Sequence, residues 1–405
     1  MPTAFIPKET RKGETRVAAT PATIKRLIKD GLSVSVESGA GLASSISDDE
    51  YRESGATIAT DRASALGTAD IVMQINVPSP EDVAQMKEGA SLLSFLWSFD
   101  NKELVEKLAG RKISAFAMDA IPRITRAQKD DALSSQANLA GYKAVIVAAM
   151  HLPKIFPMMT TPAGTIRPSK VVIIGAGVAG LQAIATAKRL GAIVEVSDVR
   201  PEVKEQAHSL GATYIEVEGS EELSGEGGYA KEQSDDFRRK QQETLHRHVA
   251  AADVVISTAL IPYRPAPKIV TAAMVKDMRA GSVIVDLAAE RGGNCDLTVP
   301  GETVVKEDVT IIGAIKLEDT VAVNASEMYS KNIQNILSDV IKKGEFGWDT
   351  TDEIVDGSLI THQGEVRHPK TREAMGLPPL PEPVPEPAPE PAAVTETDGK
   401  EEKKS

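Results

Sequence analysis

The order of apolar and polar positions divides the chain before anything is counted. In the first third, short apolar runs alternate with amphipathic ones. SVSVES (33–38), DIVMQIN (70–76), SLLSFL (91–96) and KISAFAM (112–118) read as strands. PATIKRLIKDG (21–31) and PEDVAQMKEG (80–89) read as helices with a glycine stop, the second opening on proline. Strands alternating with helices imply a mostly parallel, doubly wound sheet. ALSSQANLAGYKAVIVAAM (132–150) is small and apolar, which suits a helix packed between two domains. A Gly/Pro-rich loop, TTPAGTIRPSK (160–170), then opens a second series of strands. These are VVIIG (171–175), IVEVSD (193–198), TYIEV (213–217), DVVIST (253–258), SVIVDL (282–287) and VTIIGA (309–314). SEMYSKNIQNILSDVIKKG (326–344) has the amphipathic period of a helix that carries the chain back to the first domain.

Composition narrows this picture. A chain of 405 residues is too long for one ordinary core. With 41% hydrophobic and 26% charged residues, it can bury a sizeable interior. A net charge of -12 argues against nucleic acid or an anionic membrane surface as partner. No apolar run reaches the roughly 18 residues of a membrane span, and MPTAFIPKETRKGE lacks a signal-like apolar region. A single cysteine, Cys295, excludes a disulfide framework or a cysteine-based metal cluster. The expectation is a cytoplasmic protein without structural zinc. The last stretch, LPPLPEPVPEPAPEPAAVTETDGKEEKKS, is a Pro-Glu run with a charged tail, read either as disordered or as a semi-rigid spacer towards a partner.

The most interpretable motif is KVVIIGAGVAGLQAIATAKRLGAIVEVSDVR (170–200). A strand runs into Gly175-Ala176-Gly177-Val178-Ala179-Gly180, a helix follows, and the next strand closes on Asp198. This is the context of a dinucleotide-binding fingerprint. Gly175 permits the tight turn, Gly177 the approach of a pyrophosphate, and Gly180 close helix–strand packing. The helix N-terminus offers free N–H groups to phosphate. A carboxylate at Asp198 accepts ribose hydroxyls and repels a 2′-phosphate, which favours NAD(H), although Arg200 argues mildly the other way. The alternative is an S-adenosylmethionine or flavin site on a similar fold. Between TYIEV and DVVIST lie about thirty polar residues. Gly225, Gly227 and Gly228 suggest hinges and Tyr229 a covering ring, so the segment reads as a lid or as a tolerated surface loop.

A dehydrogenase of small substrates needs a cationic clamp and a general acid/base, most often histidine. The first 150 residues contain no histidine; the six fall at 151, 208, 246, 248, 362 and 368. Hydride transfer between two nicotinamides moves no proton at the reacting carbons and needs positioning instead. The segment ITRAQKDDALSSQ (124–136), with Arg123 just before it, crowds Arg123, Arg126, Gln128, Asp131 and Ser134 into a few positions. Arg123, Gln128, Asp131 and Ser134 are the candidates for orienting a nicotinamide and its ribose.

IPKETRKGETRVAATP, PRITRAQKDDALSSQANLAGYKAV, the glycine motif, GGYAKE, STALIPYRPAPK and VIVDLAAERGGNC together resemble the NAD(H)-binding component, domain I, of proton-translocating nicotinamide nucleotide transhydrogenase. The resemblance covers residues 1 to about 375. The same fold and several motifs occur in alanine dehydrogenase. There the counterpart of Arg16 helps hold the substrate carboxylate, but Gln74 and Asn76 stand where that family has its lysines, and Trp97 stands where it has its catalytic histidine. This leaves Arg16 a structural or interfacial role and makes amino-acid oxidation an alternative without its apparatus. A non-catalytic NADH sensor is a further alternative.

The resemblance implies an α/β protein of two Rossmann-like, doubly wound parallel-sheet domains separated by a cleft. The first is discontinuous (1–133 plus 340–376). A linker (134–165), the NAD(H)-binding domain (166–324), a return helix (325–342) and the tail (377–405) complete the chain. It implies direct hydride transfer from NADH to NADP+ on a partner domain III, coupled to proton passage by a membrane domain II. Contacts to NAD(H) are implied for Arg123, Ile124, Thr125, Arg126, Gln128, Leu133 and Ser134, with Gln128 bridging towards the second nucleotide. They are implied also for Gly175, Ala176, Gly177, Val178, Gly180, Asp198, Val199, Arg200, Gly228, Tyr229, Gln241 and Leu260. Tyr263 stands where the family often has glycine. With no membrane segment and no second nucleotide motif, the chain resembles the separate soluble subunit of some bacteria. It is expected as a homodimer, peripheral on the cytoplasmic membrane face through its partners.

Overall fold

The computed structural model describes residues 1–216, 235–261, 264–342 and 344–380, with the backbone alone for 235–238. The first domain begins with six strands: β1 (Thr3–Ile6), β2 (Ser33–Glu37), β3 (Thr57–Ala59), β4 (Ile71–Met73), β5 (Ser91–Ser94) and β6 (Ser114–Ala117). All six run parallel. Successive side chains point to opposite faces. Ile6, Met73, Leu93 and Phe116 fill one core layer, while Phe5, Val72, Leu92 and Ala115 fill the other. A sheet covered on both faces explains why these strands are continuous apolar runs.

The connecting helix, Ala132–His151, follows. Then comes an antiparallel hairpin of β7 (Met159–Thr161) and β8 (Gly164–Ile166), where the sequence pattern predicts only a loop. All six strand residues are exposed, so no burial alternation marks them.

The second domain holds β9 (Lys170–Ile174), β10 (Ile193–Ser197), β11 (Thr213–Tyr214), β12 (Val254–Ser257), β13 (Val283–Asp286), β14 (Thr303–Lys306) and β15 (Val309–Gly313). Its order is β11-β10-β9-β12-β13-β15-β14, with only the edge strand β14 antiparallel. A short 3-10 turn (Leu317–Val321) leads into the return helix, Ala322–Val340. That helix buries Tyr329, Ile333, Ile336 and Leu337 in the first domain's core. A small hairpin, β16 (Ile341–Lys342) with β17 (Glu345–Phe346), precedes β18 (Leu359–His362) and β19 (Glu365–Val366). β18 pairs with β6, giving the first sheet the order β19-β18-β6-β5-β4-β1-β2-β3. The first domain is therefore discontinuous.

The predicted lid, with Gly228 and Tyr229, lies outside the described residues, as do Tyr263 and the tail from 381.

Candidate functional site

In the second sheet the chain leaves β9 for β10 on one side and later returns to β12 on the other. Strand ends diverge at such a switch point, and ligands of open α/β sheets bind there. Gly175 follows β9 with φ +86°, and a Cβ on it would meet Thr258 Oγ1 at 2.9 Å. The Thr258 hydroxyl donates to the Gly175 carbonyl at 2.8 Å. A Cβ on Gly180 would sit 2.0 Å from that same carbonyl oxygen, so glycine alone lets the helix Val178–Arg189 approach the strand end. Gly177 caps that helix with no side-chain bond and no acidic residue in the first turn. A Cβ there would touch nothing within 4 Å. The helix start is thus open and electropositive, as an anion site requires.

Asp198 ends the next strand. Its carboxylate accepts the Ala176 N–H at 2.7 Å and the Arg200 backbone N–H at 2.9 Å. Arg200 also folds its guanidinium onto it at 2.9 and 3.0 Å. Burial works against the charge, but the Arg200 guanidinium and these N–H groups hold the Asp198 carboxyl below its ordinary range. Val178, Val199 and Leu260 are exposed apolar side chains at these strand ends and the adjoining loop. Gln241 is partly buried on the helix Asp235–Ala250.

The polar segment between the domains splits by partner. Asp131 caps the connecting helix, accepting the Ser134 N–H at 2.9 Å and its hydroxyl at 2.6 Å. Arg123, Thr125 and Gln128 are exposed. Among the described residues, the side chains of Arg123 and Gln128 have no hydrogen bond. Arg126 instead makes a bidentate pair with Asp352, at 2.7 and 2.9 Å. Ile124 and Leu133 pack partly buried against the first domain's core. About ten residues on from Asp131, roughly 15 Å by helical rise, Gly141 brings the connecting helix onto the nucleotide loop. A Cβ there would lie 2.1 Å from the Ala179 carbonyl oxygen. One helix thus ties the polar segment to the glycine loop.

The first domain's strand ends are filled from within. Glu9 accepts the N–H groups of Ile75 (2.6 Å) and Asn76 (3.3 Å), and Asp119 those of Leu96 (2.7 Å) and Trp97 (3.0 Å). Glu37 accepts the Lys8 N–H at 2.7 Å. Burial pushes the Glu9 carboxyl up, and that of Asp119 up to about 6, although the N–H bonds pull the other way. Trp97 itself has φ +46° and stacks on Phe95 at 5.7 Å.

Arg16 is buried, and its donors are spent. Nε and Nη2 grip the Glu14 carboxylate at 2.8 and 2.7 Å, and Nη1 donates to Gln136 Oε1 at 2.9 Å. Asp319 and Glu318, from the turn leaving the second domain, stand 3.0 and 3.8 Å from the same guanidinium. Its role is interfacial. Three carboxylates about one cation leave Asp319 strained: burial, only partly opposed by Arg16, pushes it up to about 7. Asn76 donates to both Glu9 and Glu14, at 2.9 and 2.8 Å, and accepts from Lys316 of the other domain at 3.1 Å. Exposed pairs also bridge the domains, Arg291 to Asp100 at 2.7 Å and Arg11 to Glu290 at 3.7 Å. Among the described residues the histidines find structural partners, such as His246 with Asp277 and His248 with Glu195. His368 caps its helix.

Two Rossmann-like domains with an open glycine loop at the switch point of the second define a protein of dinucleotide-binding architecture. Residues 5–140 match the family described as alanine dehydrogenase/PNT, N-terminal domain, and residues 144–369 its C-terminal domain. An NAD(P) transhydrogenase subunit alpha of Rhodospirillum rubrum is 48% identical over 373 residues, 90% of this chain and 97% of that protein. The crystal structure of transhydrogenase from Sinorhizobium meliloti superposes with a TM-score of 0.82 at 42% identity, covering 90% of this chain and 99% of that one. An L-alanine dehydrogenase structure shares the fold (TM-score 0.78, 24% identity, 92% of this chain and 99% of that one). The chain belongs to the alanine dehydrogenase/PNT family, among the NAD(P) transhydrogenase α subunits.

Proposed function

We propose that the chain binds NAD(H) at the glycine loop and passes hydride directly to NADP+ held by a partner subunit's domain III. A membrane domain II couples that transfer to proton translocation. The chain itself is a homodimer, peripheral on the cytoplasmic face of the membrane; no helix among the described residues is long and apolar enough to cross a membrane. The residues fit the cofactor. Open space before Gly177, an uncapped helix start and the carboxylate of Asp198 suit a pyrophosphate and a ribose. Bound NADH would supply the hydride from its nicotinamide ring. Arg123 and Gln128 keep free donors for it, while the Asp131–Ser134 cap fixes the start of the helix that follows them. Arg200 must swing off Asp198 for that carboxylate to receive hydroxyls.

The saturation of Arg16 carries this reading against amino-acid oxidation. Glu14 supplies from within the carboxylate that an amino acid would bring, so no clamp is left for a substrate. Alone, the chain binds NADH and oxidises no alanine. Mixed with an NADP(H)-binding domain III, it catalyses transhydrogenation between nucleotide analogues. Gln128→Asn and Asp131→Asn slow that transfer far more than they weaken NADH binding, measured by stopped flow and calorimetry. Unaltered transfer rates in the reconstituted complex, or alanine oxidation at ordinary rates, would overturn the proposal.

A further inference from the structure

On the far side of the polar segment, the first domain holds a cavity of about 380 Å³ between the end of the return helix, the β16–β17 hairpin and the helix Glu353–Ser358. That volume lies within the range of small-molecule sites. Its floor is aromatic. Trp348 stacks on Phe116 at 5.0 Å and meets Phe346 edge-on at 5.3 Å. Its walls carry five carboxylates, Asp130, Asp339, Glu345, Asp349 and Asp352, against two cations, Arg126 and Lys342. Most of these charges are committed elsewhere: Asp352 to Arg126, Asp339 to Lys129 at 2.6 Å, and Asp349 to Thr351.

Asp130 is the exception. It is 1% exposed, and its Oδ1 is buried without a hydrogen-bond partner. Burial pushes its carboxyl up to about 6, with Lys129 and Arg126 opposing and Asp339 and Asp352 adding to the rise. It is therefore mostly ionised at neutral pH. A buried, ionised and unbonded carboxylate is costly and calls for a counterpart. An aromatic face beside it adds attraction for a positive charge.

We propose that this cavity is a binding site for a small organic cation, a guanidinium or primary ammonium on a short apolar stem. The charged head pairs with Asp130, and the stem lies on Trp348 and Phe116. The site is separate from the nucleotide loop, and its test does not depend on the nucleotide reading. The full-length protein carrying Trp97→Phe, so that Trp348 is the only tryptophan, is titrated with n-butylguanidinium chloride by fluorescence and calorimetry. Saturable binding of one probe per chain is expected, weakened by about tenfold to a hundredfold in Asp130→Asn. Near-UV circular dichroism verifies that the Trp348–Phe116 stack survives. Should Asp130→Asn fail to fold, Asp349→Lys, at an exposed position on the rim, places an ammonium at the mouth and is expected to abolish binding. A second arm uses the peptide Ac-GRG-amide. Binding of the free probe supports a free cation, and binding of the peptide alone supports an arginine side chain of a partner chain. Absence of saturable binding in both arms, or binding that neither substitution changes, overturns the proposal.

Discussion

The two sheets of this protein offer the same feature twice and use it differently. Each ends its parallel strands in loops whose backbone N–H groups point out of the sheet. In the first domain the chain's own carboxylates take them: Glu37 after β1, Glu9 after β4 and Asp119 after β5. In the second, the helix after β9 starts on an uncapped glycine that faces open space. An anion site exists only where the protein declines to fill it with its own charge. A fold shared by two domains thus yields one that receives a ligand and one that is closed.

Gly180→Ala tests this contrast most severely. Its Cβ would strike the Gly175 carbonyl, so NADH binding should be lost and stability should fall by about 1–3 kcal/mol, read by calorimetry and thermal melting. Gly177→Ala separates ligand space from packing. Melting should be unchanged, while NADH binds about tenfold more weakly, or about 1.4 kcal/mol. A Gly177→Ala protein that bound NADH like the parent would break the comparison.

The smallest effect belongs to Asp119→Asn, which should leave NADH affinity unchanged and alter only the pH dependence of stability. Asp119 titrates at about 6 in the fold, above the ordinary aspartate range. The native state therefore holds more protons than the unfolded chain between about pH 4 and 6, and stability drains away as pH rises through that window. Asn cannot ionise, so the melting temperature of Asp119→Asn relative to the parent should climb from pH 4.5 to 7. A difference that is flat across this range refutes the assignment.

The second domain's loop was legible in the sequence because glycine spacing encodes backbone geometry directly. Gly175 and Gly180 each stand where a Cβ would collide. Most strands of both sheets were legible as apolar runs, but β1, β3 and β14 were not. They are short, and β14 is an exposed edge. The carboxylates that close the first domain left no local trace. Glu9 reaches Ile75 across 66 residues and Asp119 reaches Leu96 across 23. The approach of Lys316 to Asn76 spans 240 residues, and only the fold brings them together. Arg126 shows a further limit. It sits in the same polar run as Arg123 and Gln128, yet its guanidinium is held by Asp352, because neighbours in sequence need not share a face.

The knot around Arg16 has a mechanical consequence. Removing one partner of a buried ion cluster costs about 3–5 kcal/mol, whereas exposed pairs such as Arg291–Asp100 and Arg11–Glu290 contribute about 0–1 kcal/mol and weaken with salt. The molecule behaves as a book with a glued spine and a lightly clasped fore-edge. Its two covers part by rotation about the spine, and ionic strength works the clasp.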